Sequence, residues 1–154
     1  MGRKYKLDGT SDAEIARMDV IYDQMQDLLT ALLDVVMPPQ SANGKEIHDK
    51  KRKEYVAALD GKLAAIAKFL GTNEWMAGKR LTYVDFSVYD ILDLQRCLFL
   101  PKHLNKFPTL MAYMNRMEGL KGVKEYLKSD TFKRTPAFAP FALLGSTPDF
   151  KPLE

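Results

Sequence analysis

Apolar residues recur every three or four positions along most of this chain, which is the spacing of one face of an α-helix. The first such segment begins at a capping box, Ser11 to Glu14, and ends at Pro38-Pro39. At 1.5 Å per residue, this helix would be about 40 Å long. Its apolar stripe consists of Ile15, Met18, Tyr22, Met25, Leu29, Leu32 and Val36, widened by Ile21, Leu28 and Val35.

A second helix follows a loop at residues 38–45, whose Pro, Ser, Asn and Gly content is typical of a turn region. Gly71 is the expected C-terminal cap of this helix. One face of it carries the apolar positions Tyr55 or Val56, Leu59, Leu63, Ile66 and Leu70.

The third helix has the strongest start signal in the chain. Thr82 and Asp85 have the spacing of a capping box, and Leu81 and Phe86 stand where a hydrophobic staple would pack. Behind this cap the sequence is apolar on most sides as far as Phe99, which predicts a helix in the middle of a bundle. The connector before it contains the only tryptophan, which we expect to anchor against the core.

Two shorter helices are predicted near the end of the chain. One begins at Phe107-Pro108 and is broken by Gly119, and the other covers residues 121–128. The first of these carries Leu110, Met111, Met114 and Met117. No strand-like alternation is present, so the pattern predicts an all-α helical bundle.

Length and composition narrow the class of protein further. The 154 residues suit one domain, and the 46% hydrophobic and 28% charged content is ordinary for a globular fold. The net charge of +3 does not favour nucleic acid as a partner, and the basic run at 48–53 is interpreted as a solvated helix face. No apolar run is long enough to cross a membrane. A single cysteine, Cys97, and no signal peptide predict a cytoplasmic protein.

The sequence contains no recognisable catalytic constellation. Neither His48 nor His103 has metal-ligand spacing, so no metal and no tightly bound cofactor are expected. Asp90 and Asp93 share a helix face and could be paired carboxylates, but a polar stripe that bonds to neighbouring backbone or to Arg96 is the simpler interpretation.

Several motifs resemble the C-terminal helical domain of mu-class glutathione transferases. They are LTYVDFSVYDILDL at 81–94, LPK at 100–102, FPTL at 107–110 and RMEGL at 116–120. The resemblance extends to KFLG at 68–71, to YLKS at 126–129 and, more loosely, to residues 15–37. It covers nearly the whole chain except the 38–50 loop and about the last ten residues.

This resemblance implies a detoxifying enzyme that is a dimer and conjugates glutathione, its co-substrate, to electrophiles. In that family a thioredoxin-like domain holds glutathione, and the helical domain forms the wall of the pocket for hydrophobic small molecules.

The resemblance also implies that residues 1–10 are the remainder of an interdomain junction, 11–145 the helical domain and 146–154 a tail. The thioredoxin-like domain is not recognised in these 154 residues, so we expect the chain alone to be inactive or very weak and to expose an apolar face that such a domain would cover. Its expected partners are a second copy or a thioredoxin-like domain, and the alternative is a non-catalytic helical binding or protein-association module.

Individual site residues follow from the resemblance alone. Asp27 matches the acidic residue that reaches toward the glutathione of the neighbouring subunit. Leu33, Met37 and Phe138 match apolar pocket positions, although plain core packing is an equal alternative for all three. Met37 stands where mu-class enzymes often have a tyrosine, so a hydroxyl donor is missing there. Further pocket-wall positions are Gln26, Thr30 and Ala139. Thr82 and Asp85 are expected to act in structure only, as the helix cap.

Overall fold

The computed structural model describes residues 2–37, 44–99 and 102–151, without the side chain of Lys102. Within these ranges a 3-10 turn at Gly2–Tyr5 precedes six α-helices, and the only strand-type pairing is a bridge between Trp75 and Gly78. The prediction of an all-α fold is therefore confirmed. The helices are α1 (Asp12–Val36), α2 (Gly44–Leu70), α3 (Tyr83–Leu98), α4 (Lys102–Asn105), α5 (Pro108–Gly119) and α6 (Lys121–Leu127).

Helix α1 begins at the predicted cap. The backbone N–H of Glu14 donates to Ser11 Oγ at 3.2 Å. The carboxylate of Glu14 accepts from the backbone N–H of Thr10 at 2.7 Å, so the reciprocal bond of the predicted capping box is displaced by one residue. The prolines expected to end this helix, Pro38 and Pro39, lie outside the described residues, and Met37 is its C-terminal cap.

Most residues of the predicted apolar stripe of α1 are buried or half-buried. Ile15 and Tyr22 are 43% and 42% exposed, so the prediction that they share the packed face is wrong. Helix α1 instead packs against α2 and α3 along a line turned slightly around the helix. The buried side chains of α1 are Met18, Ile21, Met25, Leu28, Leu32, Val35 and Val36.

Helix α2 buries the predicted face, with Tyr55 as its aromatic member. Of the predicted 38–45 loop, residues 38–43 lie outside the described residues, and α2 has already begun at Gly44. The basic run at its start is mostly solvated, as expected, and Lys51 pairs with Asp34 at 3.5 Å. His48 is the exception in this run: it is buried, and its Nε2 lies 2.7 Å from the carbonyl oxygen of Val35.

The cap of α3 is formed as predicted, and Asp85 is its centre. The fully buried carboxylate of Asp85 accepts from the Thr82 N–H at 2.8 Å, the Thr82 hydroxyl at 3.0 Å and the Met76 N–H at 2.9 Å. The hydroxyl of Tyr113, from α5, donates to the backbone carbonyl oxygen of Asp85 at 2.8 Å and lies 3.3 Å from the carboxylate. The cap thus joins the start of α3 to the connector and to α5, which a local sequence motif alone does not predict.

Helices α5 and α6 occupy the predicted positions, and α5 ends at Gly119. The short helix α4, which was not predicted, packs against α2 and α5. It is held to α2 by the pair between His103 Nδ1 and Asp60 at 2.8 Å. Pro101, which follows α3 in the sequence and cannot continue an α-helix, lies outside the described residues.

The core lies where α3 and α5 meet α1 and α2. Arg17 of α1 donates to the carbonyl oxygens of Phe69 and Met76, so it closes α1 onto the connector after α2. Trp75 is buried and meets Tyr113 edge to face at 6.3 Å, which confirms its predicted role as an anchor. Within the described ranges no helix has the length and apolarity needed to cross a lipid bilayer.

Candidate functional site

One face of α1 gathers the positions that the resemblance assigns to a pocket wall. Gln26, Thr30, Leu33 and Met37 are spaced by four, three and four residues, which places them one above another on a helix. The first two are exposed, whereas Leu33 and Met37 are half-buried. The face is therefore open and polar toward the middle of α1 and apolar at its C-terminal end. Such a face can contact a ligand or a second domain without any loss of core packing.

The irregular segment after α6 returns to this same end of α1. The Leu143 N–H donates to the carbonyl oxygen of Val36 at 2.7 Å. The N–H groups of Ala137 and Phe138 both donate to the carbonyl oxygen of Gly145, at 2.7 and 3.2 Å, which closes the turn that carries Phe138. Phe138 itself is half-buried and packs against the core. The structure thus brings Leu33, Met37 and the Phe138 turn to one end of the bundle.

Asp27 points elsewhere. It is exposed on α1 and lines a groove of about 210 Å³ between α1 and α2. Lys62 and Ile66 of α2 form the opposite side of this groove. Because Asp27 lies about 100° around the helix from Gln26, it does not share the face of Leu33 and Met37.

A larger cleft, of about 600 Å³, lies between α3 and α6. Phe86 and Tyr126 are 37% and 55% exposed at this cleft, so two aromatic side chains face solvent there. The apolar pattern of α3 is the sequence feature that corresponds to this cleft. We predicted from it a helix in the middle of the bundle, whereas one side of α3 is open. Its lining consists of Leu81, Phe86, Tyr89, Asp90, Asp93, Leu120, Gly122, Val123, Tyr126, Leu127 and Phe132.

A charged network borders this cleft. The carboxylate of Asp93 accepts from Arg96 Nε at 3.0 Å and from Arg134 Nε at 3.1 Å. Arg96 also bonds to Glu118 of α5 at 2.6 Å. Burial disfavours the charged form of Arg96, but Glu118 and Asp93 together outweigh this effect, so its pKa is raised. The predicted bond between Asp93 and Arg96 is confirmed. Burial, and then repulsion from Asp93, raise the pKa of Asp90, for which the described residues supply no cationic partner within 4 Å.

Cys97 and the other candidate chemical groups offer little reactivity. Cys97 is a buried free thiol, and burial is the main cause that raises its pKa, so the thiolate is disfavoured at neutral pH. Cys97 is therefore interpreted as a packing group. Among the described residues no group of three His, Cys, Asp or Glu side chains could hold a metal ion.

Comparison with known proteins identifies the fold that carries these features. The family model described as "Glutathione S-transferase, C-terminal domain" matches residues 26–130. Glutathione S-transferase Mu 2 of Mus musculus is 39% identical over 142 residues, which cover 92% of this chain and 62% of the relative. Glutathione S-transferase Mu 3 of Homo sapiens is 37% identical over 148 residues, or 96% of this chain and 62% of the relative. The chain therefore spans less than two thirds of the length of these curated relatives.

Solved structures agree with the sequence comparison. The glutathione S-transferase Blo t 8 superimposes with a TM-score of 0.80 at 28% identity, over 94% of this chain and 66% of that one. The Pi-class glutathione S-transferase of Onchocerca volvulus gives a TM-score of 0.68 at 27% identity, over 81% of this chain and 58% of that one. The resemblance to the mu class is thereby confirmed, and the chain belongs to the glutathione S-transferase C-terminal domain family.

Proposed function

We propose that this chain is the helical part of a mu-like glutathione transferase, in which it forms the wall of the pocket for an apolar electrophile. The reaction is the conjugation of glutathione to that electrophile, for detoxification in the cytosol. The observation that carries the proposal is the bond between Leu143 N–H and Val36 O, at 2.7 Å. It joins the turn of Phe138 to the end of α1 that presents Leu33 and Met37.

The chemistry of this wall supports binding rather than bond making. Leu33, Met37 and Phe138 offer apolar contacts, and none of them can lower the pKa of a thiol. A glutathione thiolate needs a positioned hydrogen-bond donor or a positive charge beside the sulfur. We therefore assign activation of glutathione to a thioredoxin-like domain, and we expect the 154-residue chain alone to be inactive or very weak.

We place the contact with that domain at the cleft between α3 and α6. Its α3 wall continues to Tyr83, whose N–H bonds to the carbonyl oxygen of Leu7 at 2.9 Å. The matched family is a C-terminal domain, so the remaining part of the relatives precedes the matched region. A domain joined to residues 2–7 would adjoin Tyr83 and could cover Phe86 and Tyr126, the exposed aromatic side chains of the cleft.

We further propose that two copies associate and that Asp27 then faces the glutathione of the neighbouring subunit. The exposure of Asp27 and the open groove beside it support this arrangement. An acidic side chain in this position would bind the positively charged amino group of glutathione. A contact of this kind affects binding and leaves the chemical step unchanged.

The test is to measure the conjugation of glutathione to an aryl halide by three samples. These are the purified chain, a thioredoxin-like domain taken from the mouse Mu 2 relative, and a fusion of that domain to the chain. We expect the uncatalysed rate for each part alone and a rate well above it for the fusion. A chain that is fully active alone, or a folded fusion that stays inactive, contradicts the proposal. The second result would favour the alternative, a non-catalytic association module.

Variants of the fusion separate the two binding roles. Phe138→Ser should raise the KM for the aryl halide and leave the KM for glutathione unchanged, and Asp27→Asn should do the opposite. The matched controls are Phe150→Ser, which alters another half-buried aromatic residue of the same irregular segment, and Asp23→Asn, which alters an exposed carboxylate one turn before Asp27. If each variant and its control change the two KM values equally, these residues have no specific role.

A further inference from the structure

The carbonyl oxygen of Val35, in the last turn of α1, cannot accept a hydrogen bond from the residue that would continue its helix. In an α-helix each carbonyl oxygen accepts from the N–H group four residues later. The residue four positions after Val35 is Pro39, and proline has no N–H group. Val35 is 1% exposed, so water does not readily replace the missing donor. The end of α1 therefore needs a donor from another part of the chain.

His48 of α2 supplies this donor. Its Nε2 lies 2.7 Å from the carbonyl oxygen of Val35. Because a carbonyl oxygen only accepts, the bond requires a hydrogen on Nε2. His48 belongs to the basic run that we expected to be a solvated helix face, yet only 8% of its surface is exposed. A side chain of α2 thus caps the C-terminal end of α1.

The next carbonyl oxygen of α1 holds the turn that carries Phe138. The N–H of Leu143 donates to the carbonyl oxygen of Val36 at 2.7 Å. The bonds of His48 and Leu143 therefore end on adjacent peptide groups of α1. Because each peptide group is planar and rigid, a rotation of the first displaces the second. Loss of the His48 bond should thus disturb the position of Phe138, although the two residues lie in distant parts of the sequence.

We propose that His48 is a positioning residue for the pocket of the apolar electrophile. Through Val35 it fixes the last turn of α1, and with that turn the relative positions of Met37 and Phe138. This inference rests on the proposed function, since it assumes that these two side chains form part of the pocket wall. His48 acts through the backbone of α1 and makes no contact with the electrophile.

Kinetics of the fusion to a thioredoxin-like domain test this role. His48→Leu keeps a buried side chain but removes the donor, and it should raise the KM for the aryl halide about fivefold, as expected for the loss of one hydrogen bond. The kcat and the KM for glutathione should stay unchanged, because we assign the binding and activation of glutathione to the other domain. Two unchanged KM values, or an equal increase in both, overturn the inference.

Two amide side chains separate the hydrogen bond from the loss of the ring. The nitrogen of glutamine can lie near the place of Nε2, whereas that of asparagine is one methylene group closer to the backbone. His48→Gln should therefore restore the KM for the aryl halide, and His48→Asn should not. Lys51→Ala is the matched control, because it removes the exposed pair between α2 and Asp34 in the last turn of α1, and it should leave this KM unchanged. Equal KM values for the two amide variants, or an equal increase in the control, would contradict a positioning role for His48.

Amide hydrogen exchange on the 154-residue chain, followed by NMR, separates this inference from the proposed function. The N–H of Leu143 should exchange several-fold faster in His48→Leu than in the wild type, and His48→Gln should restore its rate. The N–H of Gly71, which donates to the carbonyl oxygen of Ala67 at the other end of α2, should keep its rate in all three chains.

If the fusion is inactive while exchange at Leu143 responds as expected, the proposed function fails and the coupling of His48 to the Phe138 turn is supported. If Leu143 exchanges at one rate in all three chains, the inference is overturned whether or not the fusion is active. Equal acceleration at Leu143 and Gly71 also overturns it, because the variant then destabilises the whole domain rather than the end of α1.

Discussion

At the scale of single residues, Asp85 contributes to stability in a way that a surface helix cap does not. Its carboxylate is the acceptor for two backbone N–H groups, those of Thr82 and Met76, and for the hydroxyls of Thr82 and Tyr113. An exposed cap contributes about 1 kcal/mol because water can replace the lost bond. Here water cannot do so, because both Thr82 and Asp85 are fully buried.

We therefore expect Asp85→Ala to destabilise the domain by about 3 kcal/mol, since buried donors left without an acceptor cost roughly 1–3 kcal/mol each. Thr82→Ala keeps the backbone donors and the carboxylate, and it should cost about 1 kcal/mol. Urea unfolding of the two variants and the wild type measures the difference. Equal losses in the two variants would show that the bond from the Met76 N–H to the Asp85 carboxylate adds nothing.

Asp85 should also make stability depend on pH. Burial is the largest cause of its shift and raises its pKa, although the four donors oppose part of this effect. The folded state then binds the proton more tightly than the unfolded chain. This contribution to the free energy of unfolding is fully present below the unfolded pKa of about 4, and it is lost as the pH rises through the folded pKa.

The measurement is urea unfolding across this pH range for the wild type and for Asp85→Asn, which has no carboxyl group at that position. Relative to Asp85→Asn, the wild type should lose stability as the pH rises. Asp23→Asn, an exposed substitution on α1, should follow the wild-type curve. A wild type that gains stability relative to Asp85→Asn as the pH rises would mean that the pKa of Asp85 is lowered on folding.

At the scale of elements, the turn at residues 137–145 is closed by a glycine that other residues cannot easily replace. Gly145 has a φ of +67°, and a Cβ atom placed there would lie 2.7 Å from Cδ2 of Leu98. Leu98 is fully buried at the end of α3, so it has little room to move. Both the backbone conformation and the packing therefore favour glycine.

Gly145→Ala should accordingly destabilise the domain by about 2 kcal/mol, from the positive φ and the contact with Leu98 together. Gly61→Ala is the matched control, because Gly61 lies within α2 with nothing within 4 Å of the added Cβ. That control should stabilise the domain by about 0.5–1 kcal/mol through helix propensity. Thermal unfolding of both variants tests this pair, and a stable Gly145→Ala would show that the turn adapts without strain.

The elements themselves were largely predictable because each has a local signal. The caps at Ser11 and Thr82 fixed two helix starts, and the period of apolar residues fixed the buried face of α2. Tyr113 was missed as a core residue because its burial depends on a distant partner, Asp85. Helix α4 was missed because four residues are too few to show a period.

The candidate site was less predictable because it depends on contacts between segments that lie far apart in the sequence. Periodicity placed Leu33 and Met37 on α1, but only the bond from Leu143 to Val36 brings Phe138 to that end of the helix. Such a contact joins residues about a hundred positions apart and has no signature in either segment. The cleft likewise needs α3 and α6 together, so the apolar pattern of α3 alone could not distinguish an open side from a buried one.

At the scale of the whole molecule, the cleft gives this domain an apolar surface that its own helices do not cover. Phe86 and Tyr126 lie at the cleft and are exposed, and exposed apolar patches of this kind bind partners or cause association. The neutral dye Nile red reports such surfaces through its fluorescence. We expect the 154-residue chain to enhance this fluorescence in its folded state, at protein concentrations where it remains monomeric.

Tyr126→Ser should then remove about half of the enhancement or more, because it takes away the most exposed wall of the patch. Phe141→Ser is the matched control: Phe141 is 67% exposed, compared with 55% for Tyr126, but it does not line the cleft. Equal loss in the two variants would mean that the dye reads total exposed aromatic surface rather than the cleft. Fusion to a thioredoxin-like domain should suppress the signal as strongly as Tyr126→Ser, because a docked domain excludes the dye from the same walls.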